Sequence, residues 1–199
     1  QVKNSLKNNY NVLQVDFNED FEKKLKSFKP DIVFNALHGR FGEDGYAQTV
    51  LEYNKVKYTH SGVLSSALAM DKEISKKIFI KNKILTPKFI IFNYNLKNIE
   101  ILKITIKKKL KYPVVIKPIN EGSSVDVYIS DERKLKKNLI KMNKYKEILI
   151  EEYIGGREIQ VAILGNKKLG VIVYVLPNKV FLFRLDKNDK PTFSKLNKN

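Results

Sequence analysis

The chain has 199 residues, no cysteine and a formal net charge of +17 at pH 7, and this length predicts one or two domains with a sizeable core. The missing cysteines exclude disulfides and thiolate metal sites, and no apolar run approaches the roughly 20 residues of a membrane span. Because the first residues do not form the basic start and apolar core of a secretory signal peptide, we expect a cytoplasmic protein that does not bind membranes.

The first part of the chain alternates between strand and helix patterns. The predicted elements are a strand at 12–15, a helix at 20–27, a near-continuous apolar strand at 32–37, a helix at 46–54 and a short strand near Tyr58. Residues 38–45, which begin with His38, contain three glycines, and these indicate backbone conformations that other residues avoid. Because ligands bind at the carboxyl ends of strands in open α/β sheets, this loop is a candidate binding site. The alternation predicts an α/β domain.

The later part of the chain mixes the two patterns. After a polar turn at Ser61 and Gly62, the spacing predicts a mostly helical stretch up to Lys83. Beyond it we expect strands at 89–92, 113–116, 125–129, 148–150, 158–164 and 169–176, and helices at 99–110 and 130–142, the second capped by Ser130. The polar tail at 189–199 is expected to be frayed. This mixture is typical of an α+β unit.

Residues 115–125, VIKPINEGSSV, form the most informative segment. A short apolar strand ends at Lys117, and a turn then presents Gly122, Ser123 and Ser124. Backbone N–H groups exposed at a glycine, two hydroxyls and a point charge are groups that bind phosphate. Taken alone, the segment also fits an ordinary strand that ends in a polar turn.

Four blocks of the sequence together resemble the D-alanine–D-alanine ligases of the ATP-grasp superfamily. They are ALHG and GEDG within 36–45, SGVLSSALAMDK at 61–72, the segment 115–125, and EEYIGGRE at 151–158. Each block is weak alone, but their shared order and spacing are specific. The resemblance covers roughly residues 10–173. It implies an α/β architecture: a small α/β pre-ATP-grasp domain over 1–62, a central ATP-grasp subdomain over 63–147, and the beginning of a C-terminal ATP-grasp subdomain over 148–199.

The resemblance implies the ligation of two D-alanines through an acyl phosphate, for peptidoglycan synthesis. ATP and Mg²⁺ (or Mn²⁺) are the implied cofactors, D-alanine is the implied substrate, and a homodimer is the implied assembly. Lys72 and Lys117 match the lysines that contact ATP phosphates, where a compact ammonium suits a phosphate oxygen. Gly122, Ser123 and Ser124 match the loop over those phosphates, and Ser123 also matches a catalytic serine that orients a substrate-site acid.

Further residues match the nucleotide hinge of this family. The segment that holds adenine is matched by Glu151, Glu152, Tyr153 and Ile154. Glu158 matches the acid that binds the ribose hydroxyls, a role that suits a carboxylate acceptor. Outside this motif context, the two lysines Lys72 and Lys117 would be read as ordinary surface lysines.

The glycine-rich loop at 38–45 supplies the substrate side of the resemblance. His38 matches the histidine near the second D-alanine, although a histidine held by the loop backbone fits the same pattern. Glu43 and Asp44 look like a metal pair, but we expect them to shape the loop, because the family's magnesium ligands come from much later in the chain. Glu121 is expected to organise the phosphate loop rather than to take part in chemistry.

The sequence departs from the family pattern in several places. The family's first glycine-rich turn has no counterpart here, and neither does the later region with its arginine and magnesium ligands, so we expect no metal ligands in this chain. After Val173 the match fades, and Lys187 is the candidate for the lysine of the closing loop, whose tyrosine is missing. Asp126 stands where the family usually has glycine, which predicts a stiffer or shifted loop. Without the magnesium ligands we expect ATP binding no better than weak and no ligation by these residues alone.

Three other interpretations stay open. The first is an inactive remnant or a non-enzymatic nucleotide-binding or interaction module. The second is an ATP-grasp ligase for another carboxylate, against which the His38 loop argues. The third is a nucleic-acid binder, because basic proteins displace counterions from phosphates. Only four of the basic residues are arginines, and the lysines are scattered over helix faces, so we expect no nucleic-acid partner.

Overall fold

The computed structural model describes residues 2–122, 124–156, 158–164, 167–175, 179–185 and 191–195. The chain divides into two compact units, Gln1–Tyr153 and Ile154–Asn199. The three-part division expected from the resemblance stays a prediction. Among the described helices, none is long and apolar enough to cross a lipid bilayer.

Helices and strands of the first unit are mixed along the chain. Its described helices are α1 (Val2–Leu6), α2 (Phe21–Phe28), α3 (Tyr46–Tyr53), α4 (Val63–Met70), α5 (Lys72–Lys81), α6 (Ile99–Lys109) and α7 (Leu135–Lys141), with a 3-10 turn at Leu96–Asn98. Its described strands are β1 (Ile32–Val33), β2 (Lys57–Tyr58), β3 (Phe89–Asn93), β4 (Val114–Pro118), β5 (Tyr128–Ser130) and β6 (Glu147–Glu152). The predicted helices at 20–27, 46–54 and 99–110 are confirmed to within a residue or two.

The N-terminal part of this unit has a two-stranded parallel sheet, in which β1 pairs with β2. The strand predicted at 12–15 is wrong, since these residues form no strand in the structure; Val15 instead packs on the small core of α2 and α3. The strand predicted at 32–37 is shortened to β1. Asn35 explains the early end, because its side-chain amide donates to the Gly42 carbonyl at 2.8 Å and its oxygen accepts from the Leu37 N–H at 3.0 Å.

The mostly helical stretch predicted up to Lys83 is confirmed, and it consists of the two helices α4 and α5. Asp71 separates α4 from α5 because its backbone is extended, with ψ at 106°. Its carboxylate accepts a hydrogen bond from the Ile74 N–H at 2.9 Å, which caps the start of α5. The break places Lys72 at the first position of a new helix.

The main sheet has the strand order β3-β6-β4-β5 and is antiparallel throughout. Helices α6 and α7 pack on one face, where Ile106, Ile116, Leu139 and Ile150 are fully buried. Burying side chains of this size stabilises the unit by about 1.5–3 kcal/mol each. The predicted α7 start at Ser130 is wrong, because Ser130 ends β5 opposite Val114.

The other face of the main sheet carries charged side chains. Glu151 of β6 lies opposite Val115 of β4 and opposite Phe89 of β3. Because side chains alternate between faces, Lys117 lies on this same face two residues beyond Val115. The face opposite the apolar core is therefore where the candidate site is built.

The second unit contains a four-stranded antiparallel sheet with the order β10-β9-β8-β7. Its strands are β7 (Glu158–Leu164), β8 (Lys167–Val175), β9 (Lys179–Leu185) and β10 (Pro191–Lys195). The predictions of β7 and β8 are confirmed. The expectation of a frayed tail is wrong for 191–195, because β10 pairs with β9 along its length.

Candidate functional site

Lys117 and Glu151 meet across the pairing of β4 with β6. Lys117 lies opposite Leu149 while Val115 lies opposite Glu151, so the two charged residues are diagonal neighbours on one face. The Lys117 ammonium donates to one carboxylate oxygen of Glu151. The Glu151 side chain is 9% exposed and that of Lys117 is 21% exposed, so the lysine remains the more accessible partner.

Lys76 of α5 is a third member of this cluster, and the sequence reasoning missed it. Its ammonium lies 2.7 Å from the other carboxylate oxygen of Glu151 and 2.7 Å from the Thr86 hydroxyl. It also lies 5.1 Å from the ring centroid of Phe89, a distance at which a cation is attracted to an aromatic face. The spacing from Lys72 to Lys76 is one helical turn, and this was the signal that could have revealed it. Two ammonium groups share one carboxylate, so the cluster carries a net positive charge.

Lys72 holds the start of the loop that leads to Gly122, which is called the phosphate loop after its predicted role. Its backbone N–H donates to the Ile119 carbonyl at 3.1 Å, and its ammonium donates to the same carbonyl at 3.1 Å. The ammonium also donates to the carbonyl of Glu121. Burial lowers the pKa of Lys72, and the positive charge of Lys117 lowers it further. Lys72 and Lys117 are therefore close enough to interact through their charges.

The phosphate loop lies against the glycine-rich loop at 38–45. A Cβ atom on Gly122 would be 3.5 Å from a carboxylate oxygen of Glu43 and 3.6 Å from the Cα of Gly39. Ser124 is exposed and has a left-handed backbone, with φ at 59°. Ser123 lies outside the described residues. The two loops that the sequence singled out are thus neighbours in the first unit.

Acidic side chains organise the glycine-rich loop, as expected. Glu43 accepts a hydrogen bond from the Gly39 N–H at 2.6 Å, and Asp44 accepts from the N–H groups of Phe41 at 3.0 Å and Tyr46 at 3.1 Å. Both carboxylates therefore shape the loop. His38 is exposed at the start of this loop, and its role stays a prediction.

Gly42 in the same loop is required by close packing. A Cβ there would lie 2.2 Å from the Cβ of Leu37, a distance that no larger residue could accept without moving the chain. Its carbonyl accepts hydrogen bonds from the buried amides of Asn35 and Gln48, both at 2.8 Å. This buried amide pair holds the base of the loop on α3.

The predicted adenine hinge begins at Glu151. The Glu152 N–H donates to the Lys88 carbonyl at 3.0 Å and the Tyr153 N–H to the Pro113 carbonyl at 3.3 Å. Ile154 belongs to the second unit, as does Glu158, the first residue of β7. Lys187 lies outside the described residues. The nucleotide roles of these hinge residues stay predictions.

The described residues contain no cluster of metal-ligating side chains. Among them, no three His, Cys, Asp or Glu side chains come together in a way that could hold a metal ion. The magnesium ion that the resemblance implies therefore finds no fitting ligand set in the described part of the chain.

Known proteins resemble this chain in sequence. A family model described as the D-ala D-ala ligase C-terminus matches residues 78–189. The chain is 61% identical over 171 residues to a D-alanine–D-alanine ligase of Pelagibacter ubique and 42% identical over 176 residues to one of Wolbachia pipientis. These alignments cover 86% of this chain in both cases, but 56% and 53% of the relatives. The chain thus spans about half the length of the curated relatives it matches.

Solved structures resemble it in fold. A D-alanine–D-alanine ligase of Bacillus anthracis superposes with a TM-score of 0.71 at 32% identity, covering 97% of this chain and 63% of that one. A structure of the Bacillus anthracis ligase complexed with ATP gives a TM-score of 0.66 at 25% identity, covering 95% and 75% of the two chains.

Proposed function

The chain belongs to the D-alanine–D-alanine ligase family and has its α/β ATP-grasp fold, and from this premise we propose that its protein joins two D-alanines at the expense of ATP. The carboxylate of one D-alanine takes the γ-phosphoryl group, which gives an acyl phosphate and ADP. The amine of the second D-alanine attacks the acyl carbon, and phosphate leaves. A free carboxylate is a poor acyl donor because its leaving group would be oxide, and phosphorylation removes that obstacle.

The observation that carries this proposal is the convergence of Lys72, Lys117 and the Gly122 loop at the end of β4. Lys117 lies on the strand that leads into the loop, and Lys72 donates to the loop's own carbonyls. Together with Lys76, these ammonium groups outnumber the buried carboxylate of Glu151. Fixed positive charge in a partly buried site stabilises phosphate more strongly than it would in water.

The contact between the two loops supports the substrate side of the proposal. Gly122 lies against Gly39 and Glu43, so the loop proposed to cover the phosphates borders the loop that starts with His38. A ligase of this kind must bring the nucleotide and the amino acids together and keep water from the acyl phosphate. We assign the second D-alanine to the His38 side of this border.

The remaining residue roles belong to the same proposal. Ser123 and Ser124 would bind phosphate oxygens, and Lys187 would be the lysine of the closing loop. Adenine and ribose would be held by Glu151, Glu152, Tyr153, Ile154 and Glu158. D-Alanyl-D-alanine for peptidoglycan, a homodimer and a cytoplasmic location complete the proposal.

The test is the formation of ADP by the complete gene product that contains these residues, with and without D-alanine. We expect ADP formation that depends on D-alanine, and we expect Lys117→Met to lower kcat/KM by about a hundredfold, since removing one preorganised charge typically costs that much. Lys108→Met changes an exposed lysine on α6 and serves as the matched control. ADP formation at the same rate with and without D-alanine would contradict the proposal.

A further inference from the structure

The loop that follows Gly122 is fastened at its far end by one carboxylate. Asp126 accepts hydrogen bonds from the phenol of Tyr128 at 2.9 Å and from the phenol of Tyr145 at 2.7 Å. The ammonium of Lys144 lies 2.9 Å from the same carboxylate. Tyr128 belongs to β5, whereas Lys144 and Tyr145 lie between α7 and β6. Donors from two separate segments therefore converge on a single loop side chain.

The backbone of the loop explains why a side chain of this kind is useful there. Asp126 and Ser124 have φ values of 53° and 59°, in the left-handed region that L-residues rarely adopt. Aspartate is among the few side chains that tolerate it, because a short polar group can find local hydrogen bonds. The three donors around Asp126 stabilise this left-handed backbone conformation, which is unfavourable for an L-residue.

The opposite end of the same loop has its own anchor. Lys72 binds the carbonyls of Ile119 and Glu121 from α5, and the Val125 N–H donates to the Gly122 carbonyl at 3.0 Å. Gly122 and Ser124 thus lie between two anchors, which are Lys72 on one side and the Asp126 cluster on the other. Both anchors are polar, and the apolar core of α6 and α7 does not include Asp126.

We propose that Asp126 is a positioning residue, which holds residues 124–127 in the conformation that presents their backbone to the nucleotide. It acts through the loop rather than by touching the phosphates. The cations near it are Lys144 on its carboxylate and Lys141, whose ammonium lies 4.7 Å from the ring centroid of Tyr128. The inference rests on the proposed function for its nucleotide, whereas the anchoring is a property of the chain by itself.

Hydrogen exchange of the 199-residue chain without nucleotide tests the anchoring directly. Asp126→Gly removes the carboxylate without straining the left-handed backbone, but glycine also frees that backbone, so Asp126→Asn, which tolerates the same region, is measured beside it. We expect the amides of 124–127 to exchange about tenfold faster in this variant, the effect of losing roughly one net charged hydrogen bond. Asp126→Asn keeps the shape and part of the acceptor capacity, and should give an intermediate rate.

Glu132→Gln is the matched control, because it removes the same charge from an exposed pair with Lys107 at 2.7 Å. It should leave the exchange of 124–127 unchanged. A loop in Asp126→Gly that exchanges at the wild-type rate would overturn the inference.

ATP affinity provides the second readout, and it separates this inference from the proposed function. We expect Asp126→Gly to bind ATP about tenfold more weakly than the wild-type chain, again from one lost charged hydrogen bond, and Glu132→Gln to bind as the wild type does. Equal ATP binding by wild type and Asp126→Gly would overturn the inference, whatever the exchange rates. If the wild-type chain binds no ATP, the exchange result alone decides about the anchoring, and the proposed function is still tested by the D-alanine dependence of ADP formation in the complete gene product.

Discussion

Glu151 has two lysine partners, and these differ in burial. The difference in burial indicates different roles for the two lysines. Lys76 is almost completely buried and also binds Thr86, whereas Lys117 is more exposed and leads into the phosphate loop. A buried ion pair that loses one partner leaves an uncompensated charge in a poor solvent. Lys76 therefore mainly holds Glu151 in place, and Lys117 remains available to a ligand.

The first prediction concerns this buried lysine. Lys76→Met should lower the free energy of unfolding by about 1–3 kcal/mol, because Thr86 and one oxygen of Glu151 lose a buried partner, while the other oxygen keeps Lys117. The measurement is a urea unfolding curve of the 199-residue chain. Lys77→Met is the control, since Lys77 is exposed where it pairs with Glu73 at 2.6 Å, and a pair with an exposed lysine contributes little. Equal midpoints for wild type and Lys76→Met would show that the buried pair contributes nothing.

The second prediction concerns the stability of the chain at low pH. Hydrogen bonds from Lys144, Tyr145 and Tyr128 lower the pKa of Asp126 to about 2, from its ordinary value of 3.8. The folded chain thus binds this proton less readily than the unfolded chain does. The stabilisation from Asp126 is complete above about pH 4 and is lost as the pH falls towards 2.

The groups that donate to Asp126 do not titrate in this window, since the pKa values of Lys144, Tyr128 and Tyr145 are all raised. Asp126→Asn should therefore flatten the loss of stability between pH 4 and pH 2, while Glu132→Gln should not. Urea midpoints measured at several pH values give the comparison. A slope for Asp126→Asn as steep as that of the wild type would rule out this source of acid sensitivity.

At the scale of elements, the break between α4 and α5 positions the site. Asp71 ends one helix and caps the next, and this places Lys72 beside the carbonyls of Ile119 and Glu121. A continuous helix from 63 to 81 would carry Lys72 in another direction. The capping aspartate thus contributes to the site without belonging to it.

The third prediction follows from that cap. Asp71→Ala should lower the free energy of unfolding by about 1 kcal/mol, the usual effect of losing an N-cap acceptor. Asp71→Ser supplies another good cap and should recover most of the loss. Thermal or urea unfolding of the three chains measures it. Asp71→Ala as stable as Asp71→Ser would mean that the cap is not the source of the break.

The elements show which parts of the fold could be predicted from the pattern. Helices with an apolar stripe, such as α2 and α6, were predicted because their own residues determine the periodicity. The strand at 12–15 was wrong because a strand needs a neighbour to pair with, and a local pattern does not contain one. Ser130 looked like a cap but joined the ladder with β4, where pairing outweighs local preference.

The site divides in the same way. Lys72, Lys117 and Glu151 could be named as candidates because they lie in motifs that are recognisable in order, and their roles stay predictions. Lys76 was missed because its importance comes from burial against Glu151, 75 residues away in the chain. The contact of Gly122 with Gly39 could not be predicted, since no local pattern states which two loops will be neighbours.

At the scale of the whole molecule, the described part of the first unit has its apolar core and its charged side chains on opposite faces of the main sheet. Helices α6 and α7 cover one face of the main sheet with apolar side chains, and the lysines with Glu151 occupy the other. The apolar core thus lies on one face of the sheet, and the side chains proposed to bind the ligand lie on the other. A ligand on the charged face can therefore be bound or released without disturbing the core.

This charged face is proposed to bind the phosphates of ATP through Lys117 and the loop after it. The most direct measurement is the dissociation constant of ATP for the 199-residue chain, determined by titration calorimetry with Lys117→Met and Lys108→Met alongside. We predict that the wild type and Lys108→Met bind ATP equally and that Lys117→Met binds at least about tenfold more weakly, because a charged hydrogen bond to phosphate is lost. ATP binding by Lys117→Met as tight as that of the wild type would contradict the account.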